Sequence, residues 1–159
     1  EYFVLTVLVM FVLLLSLIAI YLRLEIGKVR VTAVERWCVD IPFSLYLGWI
    51  TVATIANVTA VLHHLQWGGW GIRPELWAII LLAVGVFIAA AMGFLRRDIG
   101  YMLVIAWAFV GIAIKHGGVP PVATGAWVAS IAVIALIGAV AWVGRRQRPA
   151  SLSTLLRLI

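Results

Sequence analysis

The chain has little charge, a single thiol and few acids. Only six of its 159 residues are acidic and 11% are charged, against about a quarter in soluble globular domains. A water-soluble fold is thereby excluded. The lone Cys38 rules out an intrachain disulfide, and no metal-ligand spacing surrounds it, so it reads as a free thiol near solvent. No internal repeat of useful length and no low-complexity segment is present. Asp, Glu, Lys and Arg are missing from the depth of the apolar runs: Asp40, Glu75 and Asp98 all fall in loops or at run ends. Without buried ionisable groups there is no evident proton relay, ion path or acid–base pair. The hydroxyls of Ser44, Thr51, Thr54, Thr59 and Ser130 have no His and acid beside them in a recognisable order. The expectation is a protein that is not an enzyme, with no catalytic residue and no metal site.

What the chain has instead is apolar length. It is 65% hydrophobic, with a mean hydropathy of +1.17. Apolar runs occupy Glu1 to Leu22, Pro42 to Leu65, Leu76 to Leu95, Ile99 to Ile114 and Val122 to Val143. Most approach the roughly 20 residues that cross a bilayer at about 1.5 Å per residue. The fourth is shorter and spans if Arg96, Arg97 and Lys115 snorkel to the headgroups. Continuous runs without two-residue alternation exclude a membrane barrel, leaving helices as the structure that satisfies every backbone group in lipid. The fold class expected is an all-α integral membrane protein of five transmembrane helices, about 1–22, 42–65, 76–95, 99–114 and 122–143, forming one membrane domain.

Ten of the twelve basic residues fall on one side of that arrangement: Arg23, Lys28, Arg30 and Arg36, then Arg96 and Arg97, then Arg145, Arg146, Arg148 and Arg157. Only Arg73 and Lys115 fall on the other. The positive-inside rule puts the richer side in the cytoplasm, so the start of the chain is outside and residues 144–159 form a basic cytoplasmic tail. The net charge of +6 therefore serves topology and anionic lipid, and no nucleic-acid partner is expected. Trp37, Trp67, Trp70, Trp77 and Trp142 lie near span ends, where indoles settle in the aromatic belt. Trp49, Trp107 and Trp127 sit deeper. The segment VTAVERW between the first two runs reads as a short amphipathic helix on the membrane surface. Small residues mark helix contacts at Gly85, Ala89 and Gly93, at Ala132, Ala135 and Ala139, and at Gly125, Ala129 and Gly138.

The most informative stretch is PFSLYLGWITVATIAN, residues 42–57. Tyr46, Ala53, Asn57 and His64 follow helical spacing with Trp49 flanking, so they share a face. An amide at Asn57 near mid-bilayer needs a partner, because an unpaired one costs several kcal/mol in hydrocarbon, roughly. Either Asn57 and Thr54 bond to neighbouring helices, or Tyr46, Trp49 and Asn57 line a pocket in which aromatic faces stack on a flat apolar ligand. His63 and His64 end the second run and His116 the fourth on the same side, which makes an axial haem or chlorophyll-type ligand geometrically conceivable.

The order Tyr-x2-Trp-x3-Ala-x3-Asn in Tyr46, Trp49, Ala53 and Asn57 resembles the last helix of the TspO/MBR family, the tryptophan-rich sensory proteins related to the translocator protein. The whole chain resembles the C-terminal part of a longer, divergent bacterial branch of it. In that alignment the first two runs correspond to the family's fourth and fifth helices, three further helices follow, and the chain is a fragment lacking the N-terminal helices with their Trp-x-Pro-Pro motif. The resemblance implies a sensory or regulatory protein of the bacterial inner (cytoplasmic) membrane. It implies a cavity for tetrapyrroles such as porphyrin or haem, with Tyr46, Trp49, Ala53 and Asn57 as the ligand-binding residues. The alternative is a structural accessory subunit of a larger membrane complex, carrying pigment or electron-transfer cofactors and packing through its small-residue faces against partner subunits.

Overall fold

The computed structural model describes residues 3–29 and 31–146. Arg30, Arg148 and Arg157 of the charge partition, and the tail from 147 on, lie outside the described residues. Five long helices account for most of the chain: α1 (Phe3–Arg23), α2 (Ile41–His64), α3 (Pro74–Arg96), α4 (Ile99–Lys115) and α5 (Pro120–Arg146). Their bounds fall within a few residues of the five apolar runs. Four are long and apolar enough to cross a membrane, and α4, with 17 residues, is the shorter fifth. The chain is thus an all-α integral membrane protein.

The segment expected as a separate surface helix is instead continuous with α2. Thr32 caps a single α-turn, Ala33–Glu35, by accepting from the Glu35 N–H. A π-helical turn, Arg36–Asp40, then leads directly into Ile41. The reason lies at Pro42, whose ring crowds the carbonyl four residues back and which has no N–H to give. Widening the spiral, with the Ile41 N–H bonded to the Arg36 carbonyl, lets the chain stay helical through the proline.

Short α4 is the central helix. Tyr101, Met102, Ile105, Ala106, Phe109 and Ala113 along it are all buried, and it packs against α2, α3 and α5, whereas α1 packs on α2. Close approach to α4 is made possible by glycine, as packing in lipid requires. A Cβ on Gly85 would lie 2.7 Å from the Phe109 ring, one on Gly93 2.6 Å from Met102 Sδ, and one on Gly48 3.1 Å from Val104 Cβ. Gly85, Ala89 and Gly93 are therefore contact residues, as expected. On α5 the expectation holds only in part. Gly125 meets Ile79 and Leu82, and Ala129 is buried, but Ala135, Ala139 and Gly138 are exposed. The packed side of α5 runs instead through Val122, Ala126, Ser130, Val133 and Val140, because mixed small and β-branched residues fill the space beside α4 better than an alanine row.

The threonine hydroxyls of α2 are satisfied within their own helix. Thr51, Thr54 and Thr59 donate to the carbonyls of Leu47, Ile50 and Ile55, at 2.8, 2.7 and 2.8 Å. This four-residue back-bonding lets a hydroxyl sit in an apolar helix without a second helix to meet it. The Ser130 hydroxyl is different, donating across to the Ala106 carbonyl at 3.2 Å.

Candidate functional site

Two features stand out, one closed and polar and the other open and apolar. The closed one gathers at the end of the bundle where α1 and α3 finish and α2 and α4 begin. The Asp98 carboxylate, only 7% exposed, caps α4 by accepting from the Tyr101 N–H at 2.9 Å. Its other oxygen accepts from the Tyr21 hydroxyl of α1 at 2.7 Å and the Ser44 hydroxyl of α2 at 2.6 Å. Arg96 lies over the Tyr21 ring, 5.6 Å from its centre, and reaches the Ile26 carbonyl at 3.5 Å. Gly27, at φ +80°, presses so closely on the Arg96 carbonyl that no side chain fits there. A second bond, from the Tyr101 hydroxyl to Thr51 Oγ1 at 3.1 Å, ties α4 to α2 one turn further in.

This arrangement corrects the expectation that no ionisable group is buried. Asp98 stands between two arginines and a glycine in a turn of two residues, so by position it reads as a solvated loop acid. Burial comes from Tyr21, 77 residues away in the chain, a contact that no local pattern announces. Its hydrogen-bond partners use the carboxylate to hold three helices together. They leave it enclosed.

The open feature is a groove between α2 and α4. Its wider part, about 630 Å³, is lined by Pro42, Leu45, Tyr46, Trp49, Leu103, Val104 and Trp107. Gly48 sets its geometry, since the absent side chain brings α2 onto Tyr101 and Val104 and leaves Trp49 beside Trp107. The two indoles lie 5.4 Å apart at 38° to each other and are 47% and 63% exposed. They form a wall that faces outward from the bundle.

Of the residues read from the sequence as a ligand stripe, Tyr46 and Trp49 line this groove and Ala53 and Asn57 do not. At 3.6 residues per turn, Asn57 sits roughly 80° around the helix from Trp49, which carries it past the groove's edge. It is half-buried and makes no hydrogen bond among the described residues, and since no buried polar atom there lacks a partner, its amide reaches the bundle's surface. Trp107 is the groove residue that sequence reasoning left unassigned. Its depth in the fourth apolar run was the available signal.

The histidines lie elsewhere. His63 and His64 are exposed at the end of α2, and His116, just beyond α4, has its Nδ1 3.1 Å from the Ile112 carbonyl. The described residues hold no group of three or more His, Cys, Asp and Glu suited to a metal ion. Cys38 is an exposed free thiol. At the far end of the bundle Trp67, Trp70 and Trp77 form a mutual cluster with ring centres 5.2 to 5.9 Å apart. Trp77 Nε1 donates to the Gly69 carbonyl at 3.0 Å, so the cluster closes the α2–α3 loop. Indoles this close leave no room for a cation between them.

Residues 1–140 match the family model described as TSPO-like protein. The chain belongs to the TSPO-like family. The match takes in α1 to α4 and most of α5, so the relationship rests on the whole bundle and not on the 42–57 stretch alone. No curated protein and no solved structure matches the chain. Within this TSPO-like bundle, the groove beside Trp49 and Trp107 is an open apolar surface walled by two indoles, and the Asp98 cluster ties together α1, α2 and α4.

Proposed function

We propose that this TSPO-like membrane protein binds a flat hydrophobic ligand, a tetrapyrrole being the class the resemblance implies, along the α2–α4 groove in a sensory or regulatory role. The observation that carries the proposal is the pair of half-exposed indoles at 5.4 Å in an apolar groove of about 630 Å³. That volume falls in the range of small-molecule sites, roughly 300–1,000 Å³. Tyr46 adds a third ring with a polar tip. The role proposed is binding and not catalysis: the one buried carboxylate among the described residues is committed to Tyr21, Ser44 and Tyr101. The protein is placed in a bacterial cytoplasmic membrane with Cys38 on the cytoplasmic side.

The test is a titration of the full chain in lipid nanodiscs with a porphyrin, following tryptophan emission. Trp49→Phe and Trp107→Phe should each weaken binding, while Asn57→Ala should leave it alone. Binding indifferent to both tryptophans would sink the groove as the site.

A second reading, as an accessory subunit of a larger membrane complex, is favoured by one observation. The unpartnered Asn57 amide is accompanied by exposed Ala56 and Ala60, a small-residue surface on which another helix could approach closely. Purification in mild detergent followed by mass measurement tests it; a monodisperse monomer that retains ligand counts against it.

A further inference from the structure

The groove does not stop at the tryptophan pair. Beyond it lies a narrower stretch of about 250 Å³ lined by Trp49, Val52, Trp107, Ala108, Gly111, Ile112 and Lys115. A Cβ on Gly111 would touch nothing within 4 Å, so the passage is open at that point. Trp49 and Trp107 line both stretches, which therefore lie end to end along the α2–α4 groove, with Lys115 at the far end.

Among the described residues, Lys115 and Arg73 are the Lys and Arg side chains at this end of the bundle. It makes no ion pair and no hydrogen bond among the described residues. The acid there among the described residues is Glu75, in the first turn of α3. The channel wall beside Lys115 is almost wholly apolar, so the residue lends its methylene stem to the wall and keeps its ammonium at the rim. From Trp107 to Lys115 is eight residues along α4, roughly 12 Å, the reach of a short acidic side arm on a ring system once the lysine's own length is counted.

We propose that Lys115 makes the groove selective for flat apolar molecules bearing a carboxylate, with the ring system over Trp49 and Trp107 and the acid at Lys115. The inference rests on the groove being the ligand site and adds to it the ligand's charge and direction. A snorkelling lysine at a helix C-terminus is also stabilised without any ligand, by lipid headgroups and by the helix dipole, so the test must read selectivity rather than stability.

The probes are pyrenebutyric acid and its methyl ester, titrated into the full chain in phosphatidylcholine nanodiscs and read by energy transfer from tryptophan, with partition into empty discs subtracted. In the parent protein the acid should bind about tenfold tighter than the ester, as expected for one charge-assisted hydrogen bond. Lys115→Met should bring the acid down to the ester's affinity, and Lys115→Arg should keep the preference. Equal binding of acid and ester by the parent, or a preference that survives Lys115→Met, overturns the role of Lys115 while leaving the groove reading intact. If neither probe binds, or if transfer ignores Trp49→Phe and Trp107→Phe, the groove reading fails and this inference with it. Displacement of the acid by phosphatidylglycerol, under conditions where the ester stays bound, assigns Lys115 to bilayer lipid and also overturns the proposal.

Discussion

Replacing Asp98 tests whether a polar cluster, and not apolar packing alone, fixes the helices that form the groove. In Asp98→Ala three donors lose their acceptor: the Tyr21 hydroxyl, the Ser44 hydroxyl and the Tyr101 N–H. Loss of the helix cap costs about 1 kcal/mol. Each buried hydroxyl left unsatisfied adds about 1–3 kcal/mol if it finds nothing else. Ser44 has an escape, since a serine in a helix can turn back to the carbonyl four residues before it, so the lower end of that range applies to it. The sum is about 3–5 kcal/mol. Asp98→Asn keeps the shape and the cap and offers an amide to two hydroxyls that can accept, so it should cost about half as much. The assay is equilibrium unfolding in mixed dodecylmaltoside and SDS micelles, followed by circular dichroism and tryptophan emission. Tyr21→Phe combined with Asp98→Ala should cost less than the two singles added together, because one bond cannot be lost twice. An Asp98→Ala protein within about 0.5 kcal/mol of the parent, the range of ordinary surface substitutions, would refute the idea that this cluster holds α1, α2 and α4 in place.

Three other outcomes follow from the same structure. Gly85→Val should destabilise by about 1–3 kcal/mol through overpacking, because its Cβ already meets the Phe109 ring at 2.7 Å; Gly138→Ala, with nothing within 4 Å, should be neutral or stabilising by up to about 1 kcal/mol in the same unfolding assay. Cys38, the sole and exposed cysteine, should react with a membrane-impermeant maleimide in inverted vesicles and not in intact spheroplasts; the opposite pattern would reverse the orientation. Asn57→Leu should leave unfolding of the isolated chain unchanged or make it harder, since no bond is lost, and should weaken any helix association by about 1 kcal/mol, read by energy transfer between labelled copies or partners.

The helices were legible because in lipid the apolar run and the helix are nearly the same object. Each run end carries a stop that local chemistry explains: Arg23 after α1, Pro74 and Pro120 opening α3 and α5, and Asp98 capping α4. The alternation of basic loops also matches the way the helix ends gather. Tyr21, Ser44 and Asp98 meet at one end, and Val140 lies level with Gly93 there, so the basic residues of the described loops share a side. What periodicity could not supply was the partner of each face. It offered several small-residue stripes on α5 with equal claim, and only the position of α4 decides between them.

The same limit explains the fate of the 42–57 stripe. Tyr46, Trp49, Ala53 and Asn57 do lie on one broad face, but a face becomes a site only where a second helix stands beside it. Gly48 decides where, and it lies on the opposite flank from Asn57. By admitting α4 against its own flank it converts Tyr46 and Trp49 into a groove wall and leaves the amide outside. Left unpaired in hydrocarbon, an amide costs more than a leucine would. Its presence within a helix whose threonines, Thr51, Thr54 and Thr59, are all satisfied internally separates two kinds of polar residue in α2. The threonines can be accommodated by the helix itself. Asn57, on the outer flank of α2, has no such acceptor in its own helix, and the Trp49–Trp107 groove is lined without it.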